Sequence, residues 1–127
     1  MNGNSSRGIN VVVLGASHKP ERYSFQAVKL LREKGYNPVP VHPRGNPVDG
    51  MPVRTSLAEV TEDVDTVTLY VNASISSQQA DAIIGLRPRR VIFNPGAENQ
   101  TLREQCEQNG IETKEGCTLV MLKTGQF

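Results

Sequence analysis

No stretch of this sequence is long enough to cross a bilayer. Its longest apolar runs, Val11 to Leu14 and Leu119 to Leu122, fall far short of the roughly 20 residues that a transmembrane helix needs. An excess of charge of one sign is missing too. Fourteen basic and thirteen acidic residues leave a formal charge of +1, which provides none of the long-range attraction to nucleic acid or anionic membrane that a strongly basic protein has. Any anionic ligand must therefore be held locally. Cysteine is scarce, at Cys106 and Cys117 only, and the polar, Gly/Asn/Ser-rich residues 1–8 have no apolar segment that would make a secretory signal. Two thiols in such a chain read as reduced and partly buried rather than as a disulfide framework. There is no internal repeat and no low-complexity segment beyond residues 1–8, which read as a disordered N-terminal tail. These absences point to a soluble, cytoplasmic protein. The remaining residues 9–127 suffice for a single domain that buries a core without disulfide or metal support.

What the sequence does contain is an alternation of two periodicities. Asn10 to Leu14 is a short β-branched run of the kind covered on both faces in a parallel sheet, and it ends at Gly15. Ser24 to Lys34 places Phe25, Ala27, Val28, Leu30 and Leu31 on one side and charged residues on the other, which predicts an amphipathic helix closed by Gly35. Asn37 to His42 alternates valine with proline and reads as a second strand with a compromised edge. From Pro43 to Pro52, three prolines and two glycines demand an irregular loop, and Ser56 to Val60 has room for about one helical turn. Val64 to Val71 reads as a third strand. Ser76 with Gln79 has the spacing of a capping box and predicts the next helix start. Arg90 to Asn94 is a fourth strand, Asn99 to Asn109 a weakly amphipathic helix closed by Gly110, and Ile111 to Lys114 an edge strand. For Cys117 to Phe127, helix is preferred over strand, although so short an apolar run does not separate the two. Strands alternating with helices imply right-handed crossovers. The expected fold class is α/β: a Rossmann-like, doubly wound, mainly parallel sheet of about five strands with helices on both faces.

Ligands of such sheets bind at the carboxyl ends of the strands, near the switch point in strand order. Those ends are Gly15 to Pro20, His42 to Gly45, Asn72 to Ser74 and Asn94 to Gly96. Gly15 and Ala16 leave room for a phosphate against the backbone, Ser17 adds a hydroxyl, and the following helix offers its N-terminus. Lys19 and Arg22 add charge nearby. A dinucleotide fingerprint would need a third glycine where this chain has Pro20. An NAD enzyme would also place Asp or Glu after the second strand, where this chain has His42, Pro43 and Arg44, and a cation there suits an extra phosphate. Ser17 beside His18 is no nucleophile-base pair, since no Gly-x-Ser-x-Gly elbow surrounds it. His18 and His42 lack further ligands at metal-binding spacing, so no metal is expected.

Together, Gly15-Ala16-Ser17 with Pro20 and Ser24, Gly35-Tyr36, Val39 to Pro43, Gly50-Met51-Pro52-Val53 leading to Ser56-Leu57, and Asn94 to Asn99 resemble the stand-alone CoA-binding domain family. That family is similar to the nucleotide-binding domain of the succinyl-CoA synthetase α-subunit and of NDP-forming acyl-CoA synthetases. The resemblance implies that Gly15, Ala16, Ser17 and Lys19 line the CoA phosphates and that Pro43 and Arg44 flank the adenine and 3′-phosphate. It further implies that Val71, Asn72 and Ala73 form the opposite wall, with Asn94, Pro95 and Gly96 facing the pantetheine. Asn72-Ala73-Ser74 departs from the proline-rich continuation of the synthetases, and the phosphohistidine and nucleotide-grasp parts of a synthetase are missing. The function expected is non-catalytic binding of coenzyme A or an acyl-CoA, with no nucleic acid or membrane as partner. Two rivals stay open: an oxidoreductase domain in which Arg44 reads the 2′-phosphate of NADP, and a regulatory or scaffolding subunit of an acyl-CoA ligase. In the latter case the chain pairs with that ligase or with a second copy of itself.

Overall fold

The computed structural model describes residues 8–127; residues 1–7, nearly all of the expected tail, lie outside them. Five strands, β1 (Asn10–Leu14), β2 (Asn37–Val41), β3 (Val64–Leu69), β4 (Arg90–Phe93) and β5 (Glu112–Glu115), form one sheet. Its order is β2-β1-β3-β4-β5 and every pairing is parallel. The chain winds outward from β1 in one direction and, after β2, from β3 in the other, so the switch point lies between β1 and β3. The fold class is the one expected.

Alternating side chains of β1 feed two cores. Val11 and Val13 point to one face, where they meet Val28 and Leu31 of α1 (Tyr23–Glu33) and Leu122 of α5 (Thr118–Lys123). Val12 and Leu14 point to the other, with Val67, Leu69 and Val91. That second core is closed by Leu57 of a 3-10 turn (Leu57–Glu59), by Ile83 of α3 (Ala80–Gly85), and by Leu102 and Cys106 of α4 (Gln100–Gln108). A strand buried on both faces needs apolar residues at consecutive positions, which is what the valine run supplies. Gly35 ends α1 at φ +91°, letting the Tyr36 amide turn back to Leu31 O at 3.0 Å as a left-handed C′ residue allows.

Two expectations are refined. The helix after β3 does not start at a Ser76–Gln79 capping box. Asn72 caps α2 (Ala73–Gln78) by accepting the Ile75 amide at 2.9 Å, Ser76 is buried inside that helix, and Gln79 marks a break before α3 (φ −109°). The prolines of β2 cost the sheet nothing. Asn37 donates to Ile9 O, and Val41 O accepts from Gly15, so odd residues face β1. Pro38 and Pro40 face outward, where Arg54 donates to Pro40 O at 3.0 Å and accepts from His42 N at 2.9 Å. The 43–62 excursion is thus pinned along the outer edge, and Arg54 holds it further through Glu62 (2.6 and 3.0 Å) and Glu59 O.

Candidate functional site

The site is built where β1 and β2 end. Gly15 and Ala16 both donate their amides to Val41 O (2.9 and 3.2 Å), which closes the end of β1 onto β2. Gly15 has φ +91°, and a Cβ there would lie 2.8 Å from Val71 Cγ1 and 3.1 Å from Tyr70 O. The glycine is required for the close approach of β1 to β3, whatever ligand binds. The turn then continues through two side-chain bonds: the Ser17 amide donates to Ser24 Oγ (2.9 Å) and the Lys19 amide to Ser17 Oγ (3.1 Å). Helix α1 begins after Arg22 with no side-chain cap, so its N-terminus brings its partial positive charge to this end of the sheet uncovered by a capping side chain.

After β2, a turn brings Gly45 N to His42 O (3.0 Å), and His42 Nδ1 accepts the Arg44 amide (3.1 Å). That bond fixes Nδ1 as the unprotonated nitrogen. Partial burial first, then repulsion by Arg44 and His18, hold the His42 imidazole below the ordinary histidine pKa. Across the cleft, His18 Nδ1 meets Asn46 Nδ2 at 3.5 Å.

These two turns enclose a cleft of about 820 Å³. Of the expected residues, Gly15, Ser17, Lys19, Arg22, Ser24, His42, Arg44 and Pro95 line it. His18, Lys19, Arg22, His42 and Arg44 bring basic groups, against the one carboxylate of Glu21. Among the described residues Lys19, Arg22 and Arg44 make no ion pair; Arg87 and Arg90, away from the cleft, make none either, whereas Arg32, Arg54, Arg89 and Arg103 do. A protein near neutrality thus gathers unneutralised cations in one concavity, an arrangement suited to a polyanion.

The other expected residues stand apart from the cleft wall. Ala16 is buried beneath it. Pro20 faces a separate groove with Phe25 and Leu119, and Pro43 is exposed on the loop. Val71 packs on the core, Asn72 is spent on capping α2, and Ala73 O accepts from Asn99 Nδ2 at 3.2 Å. Asn94 is turned inward: its amide nitrogen donates to Thr68 Oγ1 (2.7 Å) and Leu69 O (2.9 Å), and its oxygen accepts the Thr118 amide (2.9 Å). It braces β3, β4 and α5 rather than facing a ligand. Gly96 is exposed, its amide held by Glu98 (3.0 Å).

Tyr70 and Tyr23 line the cleft without having been expected there. Tyr70 follows β3, where it is easily read as core; its hydroxyl is buried beside Thr68 and Thr118, and burial raises its pKa. Tyr23 is 69% exposed at the first turn of α1, an unusual place for so large an apolar ring to stay bare. That exposure is visible only in the structure.

A family model described as a CoA binding domain matches residues 10–123. The crystal structure of an uncharacterized protein superimposes with a TM-score of 0.89 at 41% identity, over 94% of this chain and 98% of the other. A Thermus thermophilus protein gives a TM-score of 0.85 at 26% identity, over 94% of this chain and 90% of its own. A conserved hypothetical protein from Pyrococcus furiosus gives 0.74 at 27%, over 84% and 92%. The curated relative YneT of Bacillus subtilis, itself uncharacterized, is 30% identical over 64 residues, which is 50% of this chain and 47% of that protein. This chain therefore matches about half the length of that relative. No helix among the described residues is long and apolar enough to cross a membrane.

Proposed function

Because the chain belongs to the CoA binding domain family, we propose that it binds coenzyme A or an acyl-CoA in the cleft between the ends of β1 and β2, as a carrier or sensor without chemistry of its own. The observation that carries this reading is the set of cations Lys19, Arg22 and Arg44, in no ion pair among the described residues, around a cleft of about 820 Å³. Coenzyme A presents a pyrophosphate and a separate 3′-phosphate, so it has two anionic groups for two cationic turns. Arg44, exposed and free of any carboxylate among the described residues, is assigned to the 3′-phosphate, and Lys19 and Arg22 to the pyrophosphate. Side-chain guanidinium groups suit phosphate because they donate in parallel pairs.

Calorimetric titration with CoA, dephospho-CoA, NAD and NADP in one buffer tests the reading. Saturable CoA binding, with dephospho-CoA weaker, is expected. Arg44→Ala should weaken CoA by roughly tenfold, the loss of about one charge-assisted contact, and leave dephospho-CoA nearly unchanged. Equal losses for both ligands would remove Arg44 from the 3′-phosphate, and a preference for NADP would replace CoA with a nicotinamide cofactor.

A further inference from the structure

The amides of the turn after β1 are already spoken for. A glycine-rich turn that cradles a phosphate does so with free backbone N–H groups. Here the Gly15 and Ala16 amides go to Val41 O, the Ser17 amide to Ser24 Oγ, and the Lys19 amide to Ser17 Oγ. The Arg22 amide goes to Lys19 O at 3.0 Å. Within residues 15–22 only the His18 and Glu21 amides have no partner among the described residues, and Pro20 has no N–H to offer.

The bond from Ser17 to Ser24 ties this arrangement together. Ser24 is 5% exposed and sits on α1, a helix fixed by Ala27, Val28 and Leu31 in the core, so its hydroxyl is a rigid acceptor. The Ser17 hydroxyl is in turn positioned to take the Lys19 amide. Each hydroxyl takes up an amide that an open cradle would leave free for a phosphate oxygen.

We infer that Ser24 is a positioning residue of this cleft: by taking the Ser17 amide it keeps the 15–20 turn self-bonded, so that a phosphate is received by the His18 to Arg22 side of the turn and its cations. The inference rests on the anion-binding reading given above. On this account, removing the Ser24 hydroxyl frees the Ser17 amide but lets the turn drift, and Lys19 loses its aim at the ligand.

The test uses the full chain and the variants Ser24→Ala and Ser24→Thr, with two readouts. Amide exchange of Ser17, followed by NMR without ligand, reports the bond itself. In Ser24→Ala it should accelerate, and CoA should bind roughly fivefold more weakly by calorimetry, as the loss of one positioning hydrogen bond implies. Ser24→Thr, which restores the oxygen, should return both towards the parent values. Unchanged Ser17 exchange in Ser24→Ala would overturn the inference. Faster exchange with unchanged or tighter CoA binding would overturn it as well, because the hydroxyl would then be a competitor of phosphate or a bystander. A parent protein silent to CoA would overturn the ligand reading, and the exchange measurement would still decide whether Ser24 holds the turn.

Discussion

Gly15 does two jobs that a sequence motif does not separate. Its φ of +91° and the 2.8 Å gap that a Cβ would leave to Val71 Cγ1 belong to the packing of β1 against β3. Its backbone also lines the cleft. Gly15→Ala should therefore cost stability before it costs binding. Denaturant unfolding should show a loss of about 2 kcal/mol or more from backbone strain and the clash with Val71, and CoA added to the surviving folded fraction should bind more weakly. A variant with full stability and impaired binding would show that the glycine serves the ligand alone. The role of Asn94 also differs from what its position suggests. An asparagine at the end of a strand in a ligand-binding sheet invites a ligand contact, yet all three of its polar bonds are internal. Nothing in the sequence marks which way that side chain turns, because Thr68 and Thr118 are brought to it only by the fold.

At the scale of elements, the 43–62 excursion is an ordered platform despite its prolines. Val48 is fully buried, Arg32 holds Asp49 at 3.1 Å, and the Arg54–Glu62 pair clamps the far end. Arg54, as the leading cause, pulls the Glu62 carboxyl down to a pKa of about 2. A folded-state pKa below the unfolded one stabilises at pH values above the ordinary glutamate range and loses that contribution as pH falls towards 2. Both side chains are partly exposed (31% and 26%), so the clamp contributes about 1 kcal/mol at most. Glu62→Gln should be less stable than the parent at pH 7, and the gap should close as the pH approaches 2; a gap independent of pH would assign the loss to packing. The strands and α1 are legible in the sequence because burial coincides with a simple period: valine at consecutive positions of β1, and apolar residues on one side of Tyr23–Glu33. The start of α2 is not, because the Ser76–Gln79 spacing imitates a cap while the true cap, Asn72, lies three residues after β3 ends, inside a turn too short to show any period.

For the molecule as a whole, a formal charge of +1 coexists with a strongly basic cleft, so attraction to an anionic ligand acts at short range. Binding of CoA should weaken as sodium chloride is raised, since the screening length shrinks to about 10 Å at 0.1 M salt. It should tighten as pH is lowered from 8 to 6, because a bound polyanion favours the His42 imidazolium, whose Nδ1 then releases the Arg44 amide and takes up a proton. Proton uptake is measurable as a dependence of the binding heat on buffer ionisation, and its absence would place His42 outside the reach of the ligand. That a single cleft gathers these groups is legible from the alternation of strands and helices, which sends the ends of β1 and β2 to the same rim. Which residues at that rim face inward is not, as Tyr70 and Asn94 illustrate. The prolines of β2 carry a last consequence. Along the outward side of residues 38–42 the sole N–H is that of His42, and Arg54 already holds it, while the opposite margin, β5, is exposed but carries Glu112, Lys114 and Glu115. A foreign strand seeking to extend the sheet finds no donors to grip on one flank and a row of charges on the other, so edge-to-edge stacking is disfavoured at both ends of this sheet.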